Sequence, residues 1–334
     1  MEIALFDIDS KEKKRYFQEK LKKHKTTFFS EPIHKVPTNK YKKAEVIIVF
    51  IHSNVTKEIL EKLPKLKVIL TQSTGTDHID LKYCKQIGYQ VGYVPSYGEN
   101  TVAEHAFALM LNLARNVHKS YIRTKNKEFS TAGIQGFDLK GKTLGVIGTG
   151  KIGLHVIKIA KSFDMDVLAY DVNEQTFVSE ILQYKYASFD EVIKNSDIIT
   201  LHMPYSEKTH HIIDENALRK MKQNAILINT SRGGLIDTKS LYKFLKNGHL
   251  GGAGLDVIEG EDLIYHEDEL IADNKSHEDL IQLLTDKNIF EFENVIFTPH
   301  NAFNSKEAIE RILKTTVENL EQYIENKTLK HPVI

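Results

Sequence analysis

The chain has 334 residues, and its 45 Lys and Arg balance 45 Asp and Glu, so it carries no global field of the kind that holds nucleic acid or an anionic membrane. That length exceeds what one core organises and points to two domains. Cys84 is the single cysteine, which excludes an intrachain disulfide and fits a reducing compartment.

The N-terminal MEIALFDIDSKEKKR is a short apolar strand running into charge rather than a signal sequence, and no run is apolar enough for a membrane span, so a cytoplasmic protein is expected. Residues 11–43 are lysine-rich, whereas residues 259–293 are crowded with acids and hold only Lys275 and Lys287; two solvated faces are the plain reading. Through residue 100, the runs IALFDI, TTFF, VIIVF, KVILTQ and QVGYV alternate with helical stretches in a βαβ rhythm. They are apolar on consecutive residues, as strands covered on both faces must be. Pro95 and Gly98 break the pattern. TVAEHAFALMLNLARNVHK at 101–119 then predicts one long helix, apolar nearly all round, to be buried on more than one side and packed against a partner subunit.

A second series follows, with TLGVIG, DVLAY, DIITLH, AILINT, GAGLDV and NVIFTP as six strands of a doubly wound parallel sheet. A last helix, roughly 305–326, precedes the tail KHPVI, which is too short to fold alone and is expected to return to the first unit. The expected division is therefore a discontinuous first domain, 1–100 with 300–334, and a second, 101–299, with hinges near Asn100 and Pro299.

Within the second series, KTLGVIGTGKIGLHVIKIAKSFDMDVLAYD is strand, glycine turn, helix, strand and terminal acid. A dinucleotide lays its pyrophosphate on bare backbone N–H groups at a helix N-terminus. Gly148 makes the tight turn, Gly150 lets the backbone reach the phosphates, and Gly153 lets the helix pack close. Asp171 accepts from the adenosine ribose hydroxyls and repels the extra phosphate of NADP, so NAD is the expected cofactor. The second domain is thus a Rossmann NAD-binding unit, and the smaller first domain is a flavodoxin-like unit for substrate.

Ligands of open parallel sheets sit beyond the carboxyl ends of the strands. Arg232 follows AILINTS, Glu261 follows GLDVIEG and His300 follows VIFTP, which suits hydride transfer to a 2-oxo acid. The guanidinium holds the carboxylate and polarises the carbonyl, the imidazolium protonates the oxygen, and the carboxylate stabilises the charged ring. Glu259 and Asp262 are near neighbours of Glu261, and Glu259 is the alternative carboxylate. His202 and His210 pack beside the cofactor or cap a helix in this reading, and no metal is called for.

STGTDHID, GTGKIG with Asp171, LHMPYSEKTHHII, INTSRGGLIDTKSL, AGLDVIEGE and TPH follow in order. In this set the chain resembles the D-isomer-specific 2-hydroxyacid dehydrogenases, from residue 73 to the final helix. Their D-lactate dehydrogenase branch is nearest, on the acidic stretch after Glu261, the AEHA helix after Tyr97, and Phe303 beyond His300. The resemblance implies a catalytic set of Arg232, Glu261 and His300, with His300 the proton donor in reduction of pyruvate to D-lactate. It also implies that Lys151 and Ile152 lie on the pyrophosphate, that Met203, Pro204 and Thr209 line the ribose side, that Thr230 and Ser231 follow, and that Asp256 meets the nicotinamide carboxamide. Thr74 and Gly75 would hold the substrate carboxylate by their N–H groups, and Tyr97 and Phe303 would border the substrate. Asn301 and Asn304 depart from the apolar or aromatic residues common there, which leaves 2-oxoisocaproate or hydroxypyruvate open as alternatives to pyruvate. A homodimer is implied. The rival from another class is an NAD-sensing corepressor, against which the complete Arg232, Glu261 and His300 set stands.

Overall fold

Every residue of Val46–Val49 and Val68–Thr71 is buried, because these strands sit in the middle of a parallel sheet with helices on both faces. The computed structural model describes residues 1–265 and 277–334, so the middle of the acidic stretch, with Lys275, lies outside the described residues. The chain divides into two compact units, Met1–Gly98 with Asn304–Ile334, and Glu99–Phe303.

In the first unit β1 (Glu2–Leu5), β2 (Lys25–Phe28), β3 (Val46–Val49), β4 (Val68–Thr71) and β5 (Gln90–Gly92) form an all-parallel sheet of order β2-β1-β3-β4-β5. This is the flavodoxin-like order. Helices α1 (Lys11–Lys20), α2 (Lys57–Leu60) and α3 (Leu81–Ile87) connect the strands. Successive side chains point to opposite faces: Ile47, Val49 and Ile69 join Tyr41, Leu60, Leu63 and Cys84 on one side, and Val46, Ile48, Val68 and Leu70 join Phe17 of α1 on the other. Burial pushes the Cys84 thiol up to about 11, which makes it an inert core group.

The second unit opens with α4 (Glu99–Arg115) and α5 (Val117–Lys125), two helices where one was expected. The break is at Asn116, which sits at φ 50 and donates its amide to the carbonyls of Ile134 and Gln135. Asparagine tolerates that left-handed conformation at little cost. The apolar residues of α4 pack within their own unit, Ala103, Ala106, Phe107, Met110 and Leu113 lying with Leu144, Val146, Val156 and Ile157. Apolar side chains are exposed on α5 and the loop after it instead, at Val117, Tyr121, Ile122 and Phe129.

The remaining elements are β6 (Thr143–Ile147), α6 (Lys151–Ser162), β7 (Asp166–Tyr170), α7 (Thr176–Leu182), β8 (Lys185–Tyr186), α8 (Phe189–Asn195), β9 (Ile198–Leu201), α9 (Glu215–Lys220), β10 (Ile226–Asn229), α10 (Thr238–Lys246), β11 (Gly252–Leu255), α11 (Glu261–Tyr265), α12 (His277–Phe290) and β12 (Val295–Phe297). The sheet is parallel, in the order β12-β11-β10-β9-β6-β7-β8. It has seven strands rather than six; the unforeseen one is the two-residue edge strand β8. The order reverses between β6 and β9, the switch point where such sheets bind ligands. Helix α13 (Lys306–Asn326) belongs to the first unit, where Leu313, Val317, Leu320 and Tyr323 complete one face of its core. No helix among the described residues is long and apolar enough to cross a membrane.

Candidate active site

β6 ends at Ile147, and the chain must turn at once without striking the end of β9. Gly148 does so at φ 98, where a Cβ would lie 2.5 Å from the His202 carbonyl oxygen; no other residue fits that space and that φ. Gly153, one turn into α6, lies so close beneath that its Cβ would meet the Gly148 oxygen at 2.0 Å. Gly150, which caps α6, differs: a Cβ there would have nothing within 4 Å. Bare backbone facing open space at the start of a twelve-residue helix is a cradle for an anion. Asp171, just after β7, accepts at Oδ2 from the N–H and hydroxyl of Thr149 (2.6 and 3.1 Å) and at Oδ1 from Asn173 N–H (2.9 Å). The acid is thereby held beside the loop. Lys151 and Ile152 begin α6, with Lys151 Nζ 3.5 Å from Glu99 Oε1.

The segments after β9 and β10 flank this loop. Met203 and Pro204 follow His202, and the Thr209 hydroxyl closes their loop by accepting from Ser206 N–H and donating to the Pro204 carbonyl. The Ser231 hydroxyl donates to the Leu201 carbonyl at 2.7 Å, tying the two strand ends together. Thr230 Oγ1 and His202 Nδ1 are buried polar atoms without a partner among the described residues. Burial pushes the His202 imidazole down to about 3, so the ring is neutral, with Nε2 on Thr200 Oγ1 at 2.8 Å. An open cradle, an acid on the neighbouring strand and uncommitted polar atoms fit a dinucleotide.

Arg232 leaves β10 and leads into a short 3-10 turn, Gly233–Leu235, with Nη1 on the Ser231 carbonyl. A Cβ on Gly233 would lie 2.0 Å from the Ile258 carbonyl carbon, so the Arg232 turn rests on the segment that carries Glu261. Glu261 opens α11, and its Oε1 meets His300 Nδ1 at 3.0 Å. Its Oε2 is buried without a partner among the described residues. Glu259, the alternative carboxylate, is engaged elsewhere, with Oε1 on His211 Nε2 at 2.7 Å. The geometry therefore joins His300 to Glu261. Gln282 of α12 props this turn by donating to the Glu259 carbonyl and to Asp286 Oδ1. Burial, helped by the Glu259 charge and opposed by the Gln282 hydrogen bond, pushes the Asp286 carboxyl up to about 8.

His300 stands at φ 48, a left-handed conformation that few non-glycine residues adopt. Asp256 holds it there. That residue is 1% exposed. Its backbone carbonyl accepts from His300 N–H at 2.9 Å. Its Oδ1 accepts from the Thr298 hydroxyl (2.5 Å) and Asn301 N–H (2.8 Å), and its Oδ2 from Ala302 N–H (2.8 Å). His105 of α4 adds Nε2, 3.0 Å from Thr298 Oγ1 and 3.3 Å from Asp256 Oδ1. Asp256, expected beside the nicotinamide, thus has both oxygens committed to the turn that presents His300. His105 and Thr298 had no assigned part in the sequence reading, although AEHA and TPH both stood out; a lone histidine inside an apolar helix was the available signal.

The other predicted residues belong to the first unit, except Phe303, which is half-buried at the end of the second between exposed Asn301 and Asn304. Thr74 Oγ1 donates to the Val94 carbonyl, and the Ser73 hydroxyl donates to the Gly75 carbonyl, so the loop after β4 is braced by its own side chains. The Tyr97 carbonyl accepts from Arg311 Nε of α13.

A sequence model described as the D-isomer specific 2-hydroxyacid dehydrogenase NAD binding domain matches residues 107–302. The chain belongs to that family. A 2-hydroxyacid dehydrogenase homolog of Haemophilus influenzae is 38% identical over 87% of this chain and 86% of its own length. The D-lactate dehydrogenase of Escherichia coli is 36% identical over the same shares. The structure of the Aquifex aeolicus D-lactate dehydrogenase, complexed with NAD and lactic acid, matches with a TM-score of 0.88 at 37% identity, covering 99% of this chain and 98% of that one. As a D-2-hydroxyacid dehydrogenase, this chain takes NAD as its cofactor, and the cradle at Gly148–Gly153 with Asp171 is where its residues fit that group.

Proposed function

We propose that this D-2-hydroxyacid dehydrogenase reduces pyruvate to D-lactate in the cytoplasm, as a homodimer. The observation that carries the mechanism is the 3.0 Å pair of His300 Nδ1 and Glu261 Oε1 on a turn fixed by Asp256, next to the turn that bears Arg232. Bound NADH supplies the hydride that goes to the carbonyl carbon. His300 gives a proton to the carbonyl oxygen as the C=O electron pair moves onto it, which balances the reduction to a hydroxyl. Glu261 holds the ring by Nδ1 and so leaves Nε2 for that transfer. Arg232 binds the substrate carboxylate and stabilises charge growing on the oxygen.

In the same proposal the first unit is the substrate domain. Thr74, Gly75, Tyr97 and Phe303 are substrate-binding residues in this proposal. Exposed Val117, Tyr121, Ile122 and Phe129 support the dimer, since large apolar side chains left exposed are candidates for burial in an association surface. Exposed Asn301 and Asn304 around Phe303 favour a second reading, in which a more polar or larger 2-oxo acid such as hydroxypyruvate or 2-oxoisocaproate is preferred. NADH oxidation against pyruvate, 2-oxobutyrate, 2-oxoisocaproate, phenylpyruvate, hydroxypyruvate and glyoxylate, with product chirality assayed, separates them. Highest kcat/KM with pyruvate and D-lactate as product supports the first reading. A better substrate elsewhere in the panel selects the second, and NADH binding without turnover on any of them overturns both.

A further inference from the structure

Beside the turns that carry Arg232 and Glu261, the side chains of His210, His211 and Glu259 bring one donor atom each within 4.8 Å of one another. They come from loops that follow β9 and β11, the two strands on either side of β10. The imidazoles lie face to face, with centroids 3.7 Å apart and an interplanar angle of 26°. His211 Nε2 is 2.7 Å from Glu259 Oε1. Thr238 Oγ1 approaches the other Glu259 oxygen at 3.4 Å, and the Tyr205 hydroxyl meets His210 Nδ1 at 3.2 Å. A partner on Nδ1 orients a ring so that Nε2 is its free donor, and outer hydrogen bonds of this kind support metal ligands. His210 is exposed, and His211 and Glu259 are half-buried, so the cluster is open to solvent.

We propose that His210, His211 and Glu259 form a binding site for one divalent transition-metal ion of the zinc and nickel class. Two imidazoles and one carboxylate are a donor set that such ions prefer and that magnesium and calcium do not. Three protein ligands leave a fourth position to water, as in open zinc sites. Ligands about 2.0 to 2.2 Å from a tetrahedral ion stand roughly 3.3 to 3.6 Å apart, so His211 and Glu259 must part from 2.7 Å and the exposed His210 ring must turn out of its stack on His211 for all three donors to face one ion. The ion takes the Glu259 carboxylate from His211 and so bears on the turn through Gly260 to Glu261. The site is independent of which 2-oxo acid the enzyme reduces.

The test is calorimetric titration of the untagged, chelator-stripped full chain with Zn²⁺ and with Ni²⁺, beside His210→Ala, His211→Ala and Glu259→Gln. One ion per chain is expected, with affinity lowered at least tenfold in each variant. Co²⁺ should give a tetrahedral visible spectrum that His210→Ala loses. His210 is exposed, so that variant keeps its fold, which the thermal transition verifies. A wild type that binds no more tightly than the His210→Ala and His211→Ala double variant, or a Co²⁺ spectrum that survives in it, overturns the site.

Discussion

Asp256→Asn is the sharpest probe of the catalytic turn. The carboxylate accepts from Thr298 Oγ1 and Asn301 N–H at Oδ1 and from Ala302 N–H at Oδ2. An asparagine has the same shape but only one acceptor oxygen. Whichever way the amide turns, its NH2 faces at least one backbone N–H at a position that is 1% exposed. Losing a hydrogen bond to a charged group costs about 1.5 to 3 kcal/mol, and a buried donor left unmatched costs about 1 to 3 more. A loss of about 2.5 to 6 kcal/mol is therefore expected, a large part of the roughly 5 to 15 kcal/mol that stabilises a typical protein. Because His300 sits inside this turn at φ 48, its ring should also move, and a displacement of about 1 Å costs on the order of 10²-fold in rate. Urea unfolding gives the first quantity. Steady-state kcat, measured at a temperature where the variant is folded, gives the second. A folded variant within about 1 kcal/mol of the wild type and with unchanged kcat would refute the role given to this carboxylate.

His300→Gln should lower kcat by about 10² to 10⁴-fold, the usual share of a general acid, with little change in the NADH dissociation constant measured by fluorescence; full turnover removes His300 from the chemistry. Asp171→Ala should weaken NAD by about 1.5 to 3 kcal/mol, one hydrogen bond to a charged group, and raise the kcat/KM ratio for NADPH over NADH; a constant ratio denies the ribose contact. Asp7 concerns pH. Burial raises its carboxyl above the ordinary 3.8, against hydrogen bonds from the Ser53 hydroxyl and Phe50 N–H. The folded state then keeps a proton that the unfolded chain has lost, so this group's contribution falls as pH rises past about 4 and levels off once the folded carboxyl ionises. Asp7→Asn, which keeps a carbonyl for both donors, should gain on the wild type as pH rises above about 4 in urea unfolding; parallel stability curves count against it.

Much of the fold was legible because a doubly covered parallel strand must be apolar on every residue, and Val46–Val49, Val68–Thr71 and Ile198–Leu201 are buried throughout. β8 was not legible, since Lys185–Tyr186 is an edge pair with no apolar run. The break at Asn116 was hidden as well: its partners are the Ile134 and Gln135 carbonyls, in a loop that periodicity does not see. At the site, order along the chain drew attention to Arg232, Glu261 and His300, with Glu259 as the alternative to Glu261. The engagement of Glu259 by His211 could not be read from pattern, because that histidine comes from a different strand end. The brace of Asp256 and His105 eluded the reading for the same reason, because it exists only once α4, β11 and β12 are packed together.

α13 has a consequence for how the protein is made. One face of the first sheet is covered by Leu313, Val317, Leu320 and Tyr323, which leave the ribosome after the whole of Glu99–Phe303. At about 5 to 20 residues per second, roughly 10 to 40 s pass between the last strand of that sheet and the helix that covers it. During that interval the nascent N-terminal unit shows bare apolar surface while the unit synthesised after it already has every strand it needs. The unit whose strands are translated earlier is thus the later of the two to finish folding, and it is the one for which a chaperone that shields apolar sheet faces matters more.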